Sequence, residues 1–206
     1  MTIQLLIISL CVLLLFLYLS TKNYDSLKGI IMFSVGFLAL FLRKYFLNSS
    51  YEMFYVPATL TISGVLNLIV ILLGIIAIFI FRDRKIRRRP VFFLMVLICY
   101  LPFGFLQQLF FQYVFLETLI SLFQIKYVVL IIGVLFYSFF HLSKETRMLA
   151  ILGFLAGIFW MGIYLYYGNI IWPSLGHAFL AAMYYYFIHP SNRLIKRLEF
   201  LKKVVR

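Results

Sequence analysis

The chain has 206 residues, of which 65% are apolar, 20% aromatic and only 12% charged. A soluble domain carries about 45–50% apolar and roughly 25% charged residues, so there is too little polar side chain here to cover a water-facing surface, and disorder, a collagen-like repeat and a disulfide scaffold are excluded as well. The charge balance of 19 Lys+Arg against 6 Asp+Glu, net +13, reads as cytoplasmic loop charge rather than a nucleic-acid footprint, because the basic residues fall between apolar segments.

Seven apolar segments follow one another, over 2–20, 29–42, 58–81, 91–120, 127–142, 148–168 and 171–189. A membrane span needs about 17–25 residues, so the second and fifth are short and the fourth is long. The first has no Lys or Arg ahead of it and no small-residue cleavage site behind it, so it reads as a retained span rather than a signal peptide. Thr2 stands where myristoylation needs a glycine and there is no terminal CaaX box, so no lipid anchor is expected. Cys11 and Cys99 lie inside apolar runs and act as small hydrophobes. The fold class is an all-α polytopic membrane protein of about seven transmembrane helices, forming a single bundle over 1–206. Within it, 1–89 holds the N-terminal helices and a basic loop, 90–190 a core, and 191–206 a basic tail.

Orientation follows from the loops. Arg82–Arg89 carries six positive side chains and the tail 190–206 six more, with four segments between them. Placing both in the cytoplasm also puts Lys22, Lys28, Lys144 and Arg147 inside, and leaves Arg43, Lys44 and Lys126 outside. The 16:3 split predicts an external N-terminus and a cytoplasmic C-terminus. In the tail, Leu194, Leu198, Leu201 and Val205 recur at helical spacing among Lys and Arg, the pattern of an amphipathic helix lying on an anionic leaflet. Gly153-Phe-Leu-Ala-Gly157 fits the small-xxx-small pattern of close helix approach and is read as intramolecular packing.

Polar groups inside spans are the informative ones, because the bilayer core penalises them. Gln107, Gln108 and Gln112 stand in the fourth segment, His141 ends the fifth and His177 lies in the seventh, whereas Glu117 is close to the end of the fourth. Gln108 and Gln112 are one helical turn apart and share a face. His189, beside Pro190 at the membrane edge, reads as an interfacial residue. Two histidines without a neighbouring Cys or carboxylate do not make a zinc site, a Ser-His-Asp triad lacks its acid, and no cofactor-binding loop is present. Composition and spacing alone announce no catalyst.

The order of these residues nevertheless resembles a family. Gln107-Gln108-Leu-Phe-Phe-Gln112-Tyr-Val-Phe is similar to the Glu-Glu-x-x-x-Arg motif of the CAAX protease and bacteriocin-processing (CPBP, or Abi) family of intramembrane proteases. Tyr137-Ser-Phe-Phe-His141 resembles the second motif, Phe-x-x-x-His, and Trp172-Pro-Ser-Leu-Gly-His177-Ala-Phe-Leu-Ala181 the third, a His followed four residues later by Asn. The resemblance covers about residues 90–190. It implies that a glutamate of the first motif activates water for attack on a peptide carbonyl, helped by the two histidines, and that Tyr137 and Ala181 line the substrate site. This chain departs from the pattern by placing Gln107 and Gln108 at the glutamate positions, Gln112 at the arginine, Tyr113 where glycine is frequent and Ala181 at the asparagine. An amide cannot accept the water's proton, and general base catalysis typically supplies about 10²–10⁴-fold.

Geometry adds a further expectation. In one straight helix from the cytoplasmic edge, Gln107 would lie ~24 Å deep at 1.5 Å per residue, out of reach of His141 near the end of its own span. Pro102-Phe103-Gly104 is therefore expected to bend or break the fourth helix, with 91–101 oblique and Gln107 level with His177. The resemblance implies a CPBP-type homologue in the cell (inner) membrane whose site has lost its acid pair, a pseudoprotease that binds membrane-embedded or prenylated peptides. The alternatives are an active intramembrane endopeptidase with an altered site, and a small transporter or channel component. Lipid bilayer and such a peptide are the partners expected; no cofactor, metal or nucleic acid is.

Overall fold

A computed structural model describes residues 2–20, 26–46, 57–82, 89–142 and 147–188. Seven helices are seen among them: α1 (Thr2–Ser20), α2 (Ser26–Phe46), α3 (Pro57–Phe81), α4 (Pro90–Phe123), α5 (Lys126–Phe140), α6 (Arg147–Tyr167) and α7 (Ile171–Phe187). Each falls on one apolar segment of the sequence. Residues 83–88 of the basic loop, Lys22, Lys144, His189 and the whole tail with its amphipathic pattern lie outside the described residues.

The surface is that of a membrane protein. Large apolar side chains such as Leu68, Ile76, Ile98 and Ile131 are more than half exposed, a surface that hydrocarbon solvates and water does not. Three helical stretches, Thr61–Phe81, Pro90–Phe123 and Leu149–Tyr167, are long and apolar enough to cross a bilayer, and Thr2–Leu17 and Lys126–Phe140 are shorter apolar helices.

Packing sets the order of the bundle. α4 lies along α7, α5 along α6, and α1 along α2; α3 covers α6 and α7, while α1 and α2 rest on the second half of α4. Gly104 permits the α4–α7 approach, since a Cβ there would stand 3.1 Å from Ser174 O. Between α4 and α5 an aromatic cluster forms, with Phe115 stacked on Phe136 at 3.9 Å and Phe111 edge-on to Phe136, Tyr137 and Phe140. Such pairs contribute about 0.5–1.5 kcal/mol each beyond the area they bury. Gly153 and Gly157 do pack within the molecule. Added Cβ atoms would meet His141 at 3.5 Å and Tyr137 at 3.2 Å, so the two glycines let α6 sit directly on those residues.

Of the bend or break expected at Pro102–Gly104, the break is absent. α-Helix runs through Pro102 to Gln108, because the close packing on α7 holds the segment in shape despite one missing N–H. The irregularity comes further on, where Leu109–Leu116 winds as a π-helix before α-helix resumes at Glu117–Phe123. The Glu117 N–H bonds to Gln112 O, which places those two residues one wide turn apart. Wide turns of this kind occur frequently at functional sites.

Candidate functional site

Four helices, α4 to α7, bring the polar residues of the spans together. Gln112 Nε2 donates to the Trp160 carbonyl at 3.2 Å and to Gln108 Oε1 at 2.7 Å; Gln108 Nε2 lies 2.9 Å from His177 Nδ1. Tyr137 Oη is 3.0 Å from the same ring nitrogen. His141 Nδ1 is 2.8 Å from the Tyr137 carbonyl, and its ring centroid is 6.0 Å from that of His177. Gln108, Gln112, Tyr137 and His177 are buried and His141 is half-buried. Gln107 is not hydrogen-bonded into this group, and its Oε1 is buried without a partner. Ala181 lies one turn beyond His177, on the wall of the cavity described below.

The hydrogen bonds run in one direction. A backbone carbonyl can only accept, so Trp160 O fixes which end of the Gln112 amide carries the hydrogens. Gln112 then donates to Gln108 Oε1, and Gln108 must present its own Nε2–H to His177. His177 Nδ1 is therefore an acceptor, shared with the Tyr137 hydroxyl, and the neutral ring carries its proton on Nε2. His141 has the opposite tautomer, because its Nδ1–H donates to a carbonyl.

Two residues that sequence reasoning passed over complete the site. The Trp160 indole stacks flat on His177, with centroids 5.4 Å apart and planes 6° apart. Asn67 of α3 accepts from Trp160 Nε1 at 3.0 Å and so fixes the indole. The clue available was an amide inside the most apolar segment, where polar groups are rare. Above the histidines, a cavity of about 370 Å³ opens between α3, α5, α6 and α7, with Tyr137, His141, Trp160 and His177 on its wall and Leu73, Leu155 and Phe159 at its apolar margin. This lies within the roughly 300–1,000 Å³ of small-molecule sites.

A second polar group was also missed. Arg43, assigned by its sequence position to an external loop, is buried in α2 against Glu117 of α4. Tyr164 Oη donates to the other carboxylate oxygen, and the Arg43 guanidinium lies 5.6 Å from the Tyr113 ring centroid. Arg43 is therefore no loop charge, because Glu117 neutralises it inside the bundle. Glu117 is the one acidic residue within a described helix, and it bonds to Arg43 and Tyr164 rather than to either histidine. Among the described residues there is no group of three or more His, Cys, Asp or Glu side chains able to hold a metal ion.

Apolar-surfaced helices enclosing a hydrogen-bonded Gln/His cluster define a multi-pass membrane protein with a polar site within its bundle. Residues 89–183 match the model of the family described as type II CAAX prenyl endopeptidase Rce1-like, consistent with the CPBP family that the three motifs resemble. The matched residues span most of α4 to α7. No curated protein and no solved structure matches it significantly.

Proposed function

We propose that this protein is a CPBP-type intramembrane protease homologue without peptidase activity, which binds membrane-associated or prenylated peptides in the cavity beside His141 and His177. The observation that carries the reading is the Trp160–Gln112–Gln108–His177 chain of hydrogen bonds. A glutamate at 108 would accept from His177 Nδ1–H and leave Nε2 as a base. Glutamine does the reverse and leaves Nε2 as a donor, so neither residue offers a lone pair for a water proton. The cluster keeps the shape and polarity of a binding site without the carboxylate base of the family's first motif.

Gln108, Gln112, His141 and His177 occupy the family's catalytic positions in this reading, with Gln107 beside them and Tyr137 and Ala181 contacting the ligand. The protein would lie in the cell membrane with its C-terminus in the cytoplasm. The test is a binding and cleavage assay on protein purified in micelles, using a farnesylated peptide. The reading expects saturable binding, weakened by His177→Ala, and cleavage at background in both proteins. Robust cleavage by the unmodified protein that His177→Ala abolishes would show an active endopeptidase whose base lies outside the first motif.

A further inference from the structure

The cavity has a polarity that a peptide alone does not explain. Among the described residues its lining includes no Lys, Arg, Asp or Glu side chain, and nearly all of it is aliphatic or aromatic. His177 stands on its wall. One face of this ring is covered by Trp160, and its Nδ1 is taken by Gln108 and Tyr137. The edge left for the cavity is the one that bears Nε2, which the hydrogen-bond chain has already fixed as N–H. Leu73, Leu155 and Phe159, each about half exposed, also line the cavity and carry it to the lipid-facing surface.

We infer that the cavity binds a single-chain neutral amphiphile whose hydrocarbon tail passes in from the bilayer between α3 and α6 and whose polar end is an uncharged oxygen acceptor, a hydroxyl or carbonyl, held by His177 Nε2–H. This rests on reading the cavity as a ligand site and requires no peptide. The geometry argues for each part of the occupant. An apolar tube with a lipid-side margin takes a chain from the membrane without carrying it through water. A donor on the cavity wall calls for an acceptor on the ligand, since an occupant that covered this N–H without one would leave it unmatched, a state that costs about 1–3 kcal/mol. The absence of a cationic group among the lining residues disfavours a carboxylate or phosphate head, which would enter with no counter-charge.

The experiment compares tritiated hexadecanol, hexadecane and hexadecanoate for binding to the full chain in micelles by scintillation proximity. A farnesylated peptide serves as a separate probe. Hexadecanol is expected to bind saturably and about tenfold more tightly than hexadecane, the ratio for one retained hydrogen bond at 1.4 kcal/mol per decade, with hexadecanoate weaker than the alcohol. His177→Phe keeps a ring on Trp160 but removes the N–H, and should bring the alcohol down to the alkane. Ala77→Phe, which fills the α3 side and leaves the polar end intact, should weaken alcohol and alkane together. Equal or tighter binding of hexadecanoate, no saturable binding of hexadecanol, or an unchanged alcohol-to-alkane ratio in His177→Phe overturns the inference. Peptide binding without alcohol binding overturns it and leaves the proposed function standing. Alcohol binding without peptide binding does the opposite.

Discussion

Gln108 Nε2 donates to His177 Nδ1 across 2.9 Å, and this bond decides which nitrogen of the histidine faces the cavity with a proton. Its direction is inherited from a backbone carbonyl two bonds away, through Gln112. Side chains thus transmit the polarity of Trp160 O to the site, and the neutral amides do it without placing a charge in hydrocarbon.

The first prediction is a tautomer. Nitrogen-15 spectra of histidine-labelled protein in micelles should show His177, assigned by its loss in His177→Phe, as the neutral Nε2–H form. The paired change Gln108→Glu with Gln112→Arg should invert it to Nδ1–H, since the arginine keeps the new carboxylate ionised and that carboxylate then accepts from Nδ1. Finding Nδ1–H in the unmodified protein would mean that the amide chain runs the other way.

Arg43 and Glu117 support a prediction about stability. Breaking a buried ion pair by removing one partner leaves an uncompensated charge and costs about 3–5 kcal/mol, whereas replacing both by apolar residues can be neutral. Arg43→Leu should therefore unfold well below the unmodified protein in a thermal ramp in detergent, and Arg43→Leu with Glu117→Leu should recover most of the loss. Additive losses in the double variant would show that the two side chains act independently.

Much of this was legible in the sequence, and the remainder has identifiable causes. Each apolar segment became a helix because uninterrupted hydrophobicity over such lengths leaves the backbone few other ways to satisfy its own polar groups in lipid. The Gln108–Gln112 face and the meeting of His141 with His177 followed from helical spacing and from motif order. Arg43 was misplaced because position along a span says nothing about a partner 74 residues away, and Glu117 is such a partner. The π-helical turns at Leu109–Leu116 have no periodicity signal of their own, so the sequence pointed to the proline as the irregular site. Asn67 and Trp160 entered the site only through α3 packing on α6, a tertiary contact that no local pattern encodes.

Topology supplies the next prediction. With Arg43 paired to Glu117 inside the bundle, the orientation expected from the sequence divides the remaining basic residues sixteen to two, with Lys44 and Lys126 on the minority side. Reporter fusions at Arg87 and after Arg206 should both report cytoplasm. Opposite locations would mean that an odd number of spans separates them.

The last prediction concerns the missing acid pair. Gln107→Glu with Gln108→Glu introduces two carboxylates into a buried site that has no counter-charge, and burial favours their protonated, non-basic form. That double variant should be less stable than the unmodified protein at neutral pH, because holding the carboxyls protonated there costs about 1.36 kcal/mol per unit by which burial raises the pKa, and should leave cleavage of a farnesylated peptide at background. Adding Gln112→Arg changes both results. An arginine at 112 can still donate to the Trp160 carbonyl, as Gln112 does at 3.2 Å, and it also reaches the residue at 108, to which Gln112 now bonds at 2.7 Å. It thus holds a carboxylate ionised next to His177, which then takes the Nδ1–H tautomer and offers Nε2 as a base. Thermal stability should rise above that of the double variant, and any cleavage should appear in the triple variant alone, lost again with His177→Ala. Cleavage in the double variant without the arginine would sink this account, because it would show that the site can keep a carboxylate basic unaided.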